Sequence, residues 1–366
     1  MLSFKTRSTM PALAVSLCAL SLAACGGGDN NGQPLDLTIL HINDHHSHLD
    51  AESTALTLKD AAGAGKSVTV ELGGFARVTA AIEALAAGKP NVLKLHAGDA
   101  ITGSLYYTFF KGRADAQMRN SICFDAFVPG NHEFDDGDGV FKGFLDALAD
   151  PANGGNCKTP TVSANIVPQA GTALAPAGAA AYLQPYTIKK IDGVDVGIVG
   201  VTIAAKTANS SRPLATTQFQ DEAKAAQKAI DELKAKGVRH IVLMSHLGYD
   251  NDKQIAAQLT DVDVVIGGDS HTLLGDFKAL GLPSGGRYPT VARNAAANAV
   301  EPEPIIIRSC AAFIRILHNT NRFKPPPNRK SCLIRQHFRG REIGRESERA
   351  GRRALFTQHR DLGRHH

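Results

Sequence analysis

The chain of 366 residues carries a formal net charge of +5, from 40 Lys+Arg against 35 Asp+Glu. That basicity sits at one end: residues 295–366 hold 15 Lys+Arg, 13 of them Arg, against 6 Asp+Glu, whereas residues 26–294 hold 23 against 29. A basic balance over a whole domain points to nucleic acid or an anionic membrane surface, and the mildly acidic body argues against nucleic acid as its partner.

The chain opens MLSFKTRSTMPALAVSLCALSLAAC. Lys5 and Arg7 give a basic start, and Pro11 to Ala24 is an apolar run too short to span a bilayer. Leu22-Ala23-Ala24-Cys25 resembles the bacterial lipobox, in which the cysteine is lipidated and becomes the new N-terminus. Residues 1–25 are therefore expected to be a lipoprotein signal peptide, with a membrane anchor at Cys25; an ordinary secretory peptide is the alternative. Residues 26–35, beginning GGGDNNG, read as a flexible tether. Signal, anchor and tether predict an exported protein, periplasmic or on the surface of a bacterial cell. Cys123 and Cys157 are the only cysteine pair in the body, and an oxidising compartment either joins them or leaves two buried thiols.

From residue 36 to 294 short apolar runs alternate with helical periods. LTILHI (37–42), VLKLHA (92–97), FDAFVP (124–129), VDVGIVGV (194–201), HIVLMS (240–245) and VDVVIG (262–267) read as strands covered on both faces. The clearest helices are Ala76 to Ala87, stopping at Gly88, and Glu222 to Lys236, with Ala223, Ala226, Ile230 and Leu233 on one stripe and Gly237 as the stop. Residues 168–181, rich in Ala, Gly and Pro, read as a surface excursion. The alternation predicts an α/β domain with a largely parallel sheet. Past Arg293 this grammar fades and Arg usage jumps, so residues 295–366 read as an aberrant tail that does not pack. A displaced reading frame is its simplest origin, which sequencing of the gene decides. No aromatic or repeat order accompanies the arginines, which disfavours a nucleic-acid tail.

Five polar clusters fall at predicted strand ends: Asp44-His45-His46, Gly98-Asp99, Gly130-Asn131-His132-Glu133-Phe134-Asp135, Ser245-His246-Leu247-Gly248 and Gly268-Asp269-Ser270-His271. The carboxyl ends of parallel strands open on one edge, where ligands bind, so clusters more than two hundred residues apart would converge there. Asp, His and Asn offer hard oxygen and imidazole donors without thiolate, which suits Zn, Mn, Fe, Co or Ni. The donors are too many for one ion. Two divalent ions sharing a carboxylate, as in the paired-metal sites that stabilise in-line displacement at phosphorus, account for the number. His41 and His96 are expected to pack or to support the donors rather than ligate. His45 and His48 are left unassigned, Glu133 is read as fixing its turn, and Gly98, Gly130, Gly267 and Gly268 as letting the backbone turn beside the ions.

The ordered motifs NDHH, GDAITGS, GNHEFD, MSHLG and GGDSHT resemble those of the 5'-nucleotidase branch of the calcineurin-like metallophosphoesterases, over about residues 36–294. The resemblance implies a sheet sandwich flanked by helices, here incomplete at its C-terminal end. It implies one ion on Asp44, His46 and His271, the other on Asn131, His246 and Asp269, with Asp99 bridging and His132 and Asp135 as the catalytic pair. Where the commoner pattern reads Gly-Gly-His-Ser-His this chain has Gly-Gly-Asp-Ser-His, and the added carboxylate at Asp269 should favour harder ions such as Mn over Zn. The implied activity is release of phosphate from nucleoside 5'-phosphates by a metal-activated water, with His132 stabilising charge or protonating the leaving oxygen. Nothing in residues 295–366 matches the family's C-terminal substrate domain. Two alternatives follow: a relative acting on 2',3'-cyclic nucleotides, a dinucleotide or a sulfur-carrier conjugate, and a truncated lipoprotein without turnover.

Overall fold

The computed structural model describes residues 35–59, 63–293, 304–309 and 333–337. The expected signal peptide, the lipid site at Cys25, Cys310, Cys332 and most of the tether and tail lie outside these residues. Of the tether, Leu35 is described, and it is buried at 2% exposure in the core. No helix of the described residues is long and apolar enough to cross a membrane.

In chain order the strands are β1 (Asp36–Ile42), β2 (Ala51–Lys59), β3 (Gly65–Gly73), β4 (Val92–His96), β5 (Ala126–Phe127), β6 (Thr161–Val162), β7 (Ile166–Pro168) and β8 (Leu183–Gln184). They continue with β9 (Tyr186–Ile191), β10 (Val194–Thr202), β11 (Thr217–Phe219), β12 (His240–His246), β13 (Val264–Gly267), β14 (Thr290–Arg293), β15 (Pro304–Ser309) and β16 (Leu333–His337). The helices are α1 (Phe75–Ala86), α2 (Leu105–Phe110), α3 (Arg113–Asn120), α4 (Asp138–Ala149), α5 (Ala204–Ser210), α6 (Glu222–Ala235) and α7 (Tyr249–Gln258).

The strands form two six-stranded mixed sheets, ordered β16-β1-β4-β5-β6-β8 and β14-β15-β13-β12-β10-β9. Within them β1, β4, β5, β6 and β8 run parallel, as do β10, β12, β13 and β15. Successive side chains of a strand face opposite ways, and the burial pattern follows that period of two. Leu37, Ile39, Leu93 and Leu95 from one sheet pack with Val196, Ile198, Val242, Met244, Val264 and Ile266 from the other. The alternate residues Val199, Val201, Ile241, Leu243 and Val265 pack outward beneath α6 and α7. On the far side Leu40 and Ile42 pack against α1, and Phe127 joins the aromatic cluster of Phe134, Phe141 and Phe144 around α4. The central strands β1, β10, β12 and β13 therefore bury both faces, which is why their sequences are near-continuous apolar runs.

Local signals explain most boundaries. Asp221 caps α6, its side chain accepting from Lys224 N at 2.9 Å, and Gly237, with φ 86°, ends the turn after it. The regular strand expected over 124–129 shrinks to Ala126–Phe127. Asp125 N and Val128 N still donate to carbonyls of Lys94 and His96. The sequence reading missed the β2–β3 hairpin, a nine-residue antiparallel pair beside the sandwich. It also placed no strand beyond residue 294. The backbone of 304–309 nonetheless pairs parallel with β13, and that of 333–337 pairs antiparallel with β1. Ile305-Ile306-Ile307 is a β-branched run, of the composition that favours strands.

Cys123 and Cys157 form a disulfide, with 5.1 Å between Cα atoms, closing 34 residues that include α4. Opening it by Cys157→Ser should lower stability by about 3 kcal/mol, chiefly by freeing the unfolded chain. Denaturant unfolding of the two forms checks this; equal midpoints would show that the link constrains nothing.

Candidate functional site

The five clusters converge, but on the shared edge of two sheets rather than on one. Loops after β1, β4 and β5 come from the first sheet, and those after β12 and β13 from the second. In three sets, Asp44/His46/His271, His46/Asp99/His132 and Asp44/Asp99/His246, one ligand atom per residue lies within 4.8 Å of the others.

The first expected ion set, Asp44, His46 and His271, is brought together. His46 Nε2 is 3.2 Å from His271 Nε2, and His271 Nε2 is 3.7 Å from Asp44 Oδ1. Asp99 stands between the two sets, with Oδ2 3.7 Å from His46 Nε2 and 3.0 Å from His246 Nε2. Of the second set, His246 is fully buried and approaches Asp44 at 3.9 Å. Its Nδ1 meets the Ala97 carbonyl at 2.7 Å, which leaves Nε2 for the site. Asp269 Oδ1 is 3.9 Å from His246 Nε2 and is ion-paired with Lys206; Asp269 is in none of the three sets. Asn131 is buried, and its side-chain oxygen has no hydrogen-bond partner among the described residues. Asp135 lies one step out, bonded to His132.

Backbone strain concentrates here. Asp44, His46, Asp99, Asp269 and His271 all have positive φ, costly for residues with a Cβ and sustained by surrounding bonds. Asp269 N donates to both Asp44 oxygens at 3.0 and 3.1 Å, tying the first cluster to the last. Glu133 accepts from Asp99 N, Ala100 N and Ile101 N on one loop and from Gly130 N on another, at 2.5 to 3.3 Å. It thus fastens two loops as well as its own turn. At Gly130 the requirement is space: a methyl there would lie 2.5 Å from His246 Nε2 and closer still to Asp99 Oδ1. Gly98 has φ 91°, a conformation that a side chain disfavours.

The electrostatics ask for a cation. Burial pushes Asp44 up to about 7, against the pull of His246. Burial would also raise Asp99, yet the neighbouring His246 holds it well below the usual range. His246 in turn is driven down by burial and up by Asp99, ending at about 10. Buried carboxylates pressed together with an unpartnered amide oxygen and imidazole nitrogens are the donor set of hard or borderline divalent ions, so these residues fit such a group.

Beside this centre a short 3₁₀ turn over His132–Phe134 places residues three apart on one side. His132 Nδ1 and Asp135 Oδ2 are 2.6 Å apart, and the hydrogen bond to Asp135 raises the His132 pKa. The rings of His46 and His132 meet edge-on, with centroids 4.9 Å apart. Asp135 is held by Ser211, whose hydroxyl lies 2.8 Å from both Asp135 Oδ1 and the Asn131 carbonyl oxygen. Sequence reading missed Ser211 and Lys206. A signal existed: both follow the strand ending at Thr202, whose end opens on the same edge.

His45 and His96 sit beneath the donors. His45 Nδ1 meets His96 Nε2 at 2.9 Å, and His45 Nε2 meets Asp115 Oδ1 at 3.2 Å. His48 lies outside this layer, exposed and bonded to Glu52.

A model of the calcineurin-like phosphoesterase family matches residues 37–273, most of the chain and all the loops just described. The chain belongs to the calcineurin-like phosphoesterases. This phosphoesterase is 40% identical over 272 residues to a probable 5'-nucleotidase of Treponema pallidum, covering 74% of the chain and 43% of that protein. The solved structure of the Haemophilus influenzae NAD nucleotidase superposes with a TM-score of 0.68 at 37% identity, covering 76% of the phosphoesterase and 46% of its counterpart. A 5'-nucleotidase precursor from Thermus thermophilus gives 0.65 at 35%, covering 76% and 49%. The phosphoesterase thus spans less than half the length of these relatives.

Proposed function

We propose that this chain is an exported, metal-dependent phosphohydrolase that releases phosphate from nucleoside 5'-phosphates. The observation that carries the reading is the meeting of Asp44, His46, Asp99, His246 and His271, drawn from two sheets, beside the His132–Asp135 pair. Two divalent ions held by these donors, with Asn131 and Asp269 completing the second set, would lower the pKa of a bound water and draw charge from phosphoryl oxygens. Around them the chain's own groups have distinct tasks. Asp135 holds the His132 imidazole by Nδ1 and favours its charged form, so Nε2 offers a proton to a phosphoryl oxygen or to the leaving alkoxide. Ser211 keeps Asp135 in place. Asp99 fixes the start of the turn by accepting from His132 N at 2.9 Å. The disulfide Cys123–Cys157 supports export, because such links persist in oxidising compartments.

A second reading, hydrolysis of a dinucleotide, draws on the likeness to a relative named NAD 5'-nucleotidase, 37% identical over 297 residues. A panel of AMP, NAD and 2',3'-cyclic AMP separates the two.

The test is metal content and phosphate release on the purified chain supplied with manganese or zinc. We expect two ions per chain and hydrolysis of AMP. His132→Ala should slow release by about 10²- to 10⁴-fold while metal content stays unchanged. A loaded protein that releases no phosphate from any nucleotide would overturn the reading.

A further inference from the structure

Three carboxylates, Asp44, Asp99 and Asp269, border the proposed metal centre, and Lys206 on α5 meets one of them. Its ammonium donates to Asp269 Oδ1, the same oxygen that lies 3.9 Å from His246 Nε2 on the donor side. The backbone of residue 269 is placed without this bond. Its backbone N–H is already tied to both oxygens of Asp44, and Ser270 N bonds back to the Gly268 carbonyl. Lys206 therefore acts on charge more than on position. Its own helix is anchored independently, through Ala204 N to Glu222 and Ile203 N to the His246 carbonyl.

Resting on the reading that Asp269 is a ligand, we propose that Lys206 is a positioning residue acting through it: the Lys206–Asp269 pair serves as one ligand of reduced charge. A bare carboxylate would bind an ion more tightly and leave it a weaker acid. An ammonium sharing the oxygen withdraws charge from it, so the ion is held less tightly and draws more strongly on water and phosphate. Two effects oppose each other when Lys206 is removed. Repulsion between an ammonium and a divalent cation on one oxygen is lost, which tightens binding, and a partly exposed ion pair that helps orient Asp269 is lost, which loosens it. The first wins, because a charge beside a divalent ion interacts strongly even at a high effective dielectric, whereas exposed pairs contribute little. The pair also carries an interdependence. A neutral imidazole at 269 would need no counter-charge, and Lys206 beside it would only repel the ion.

The experiment titrates manganese into metal-free protein by calorimetry, with thermal unfolding of each variant to establish that it is folded. Lys206→Met should bind its weaker manganese ion at least about tenfold more tightly than wild type, while phosphate release slows severalfold. Lys206→Arg should resemble wild type in both. Asp269→His alone should weaken binding, and adding Lys206→Met to it should recover at least about tenfold of that loss. Manganese affinity unchanged in Lys206→Met to within about twofold, or equal affinity of Asp269→His with and without Lys206, would overturn the proposal while leaving the metal site standing. Wild-type protein that takes up no manganese would bring down this proposal and the reading beneath it together.

Discussion

Asp99→Asn is expected to strip the centre of its ions and slow phosphate release by at least about 10³-fold. Asparagine keeps the shape. Its carbonyl still accepts from His132 N, where Asp99 Oδ1 now does so at 2.9 Å. What goes is the negative charge midway between the donor sets, 3.7 Å from His46 on one side and 3.0 Å from His246 on the other. His246 also loses the carboxylate that raises its pKa, though a neutral imidazole is what a metal needs, so that change alone would help binding. Loss of the shared anion outweighs it, since both sets depend on that one group. Metal analysis and nucleotide hydrolysis on the same preparation check the result. Retention of both ions with full release would end the assignment of Asp99 as the shared ligand.

The second large effect runs the other way. Arg119→Met should raise stability by about 1–3 kcal/mol, the cost of leaving a buried polar group without partners. Arg119 is 1% exposed, and its three guanidinium nitrogens make no hydrogen bond among the described residues. The group lies over Phe127 at 4.1 Å, with Phe144 and Phe124 at 5.4 and 5.6 Å. Burial lowers its pKa to about 10, with Glu133 and Asp115 acting against that shift. Cation–π contact recovers part of the desolvation, but five donors without acceptors leave a deficit that a methionine in an aromatic cluster does not have. Unfolding by guanidinium chloride measures the difference. A drop in stability would show that Arg119 balances the buried Glu133 and Asp115 charges more strongly than it suffers from burial.

Strands buried on both faces were legible because their apolar runs are continuous: VDVGIVGV, HIVLMS and VDVVIG fall on β10, β12 and β13 within two residues. α6 was legible from its stripe and its glycine stop. The hairpin over 51–73 carries a different signal: Val68, Val70 and Leu72 alternate with the exposed Ser67, Thr69 and Glu71, the period of a half-exposed strand rather than a continuous apolar run. The division into two sheets was legible only through the family resemblance and not from the strands themselves, since short runs such as Thr161–Val162 and Leu183–Gln184 owe their pairing to neighbours far away in sequence. The motif residues Asp44, His46, Asp99, His246 and His271 were legible as a set, because each cluster ends a strand. The groups that hold them were harder to see. Glu133 declares only its own turn in sequence, and its grip on the loop at 99–101 exists only in three dimensions. Lys206 and Ser211 carry no metal-ligand chemistry and so drew no attention.

The bond between Asp269 N and the Asp44 carboxylate spans 225 residues. Closing so long a loop costs entropy that only the docked sheets can offset, so this corner of the molecule is among the last to assemble. The donors of the second sheet follow those of the first by most of the domain, so the centre cannot assemble its full ligand set until nearly everything between Asp44 and His271 has folded around it.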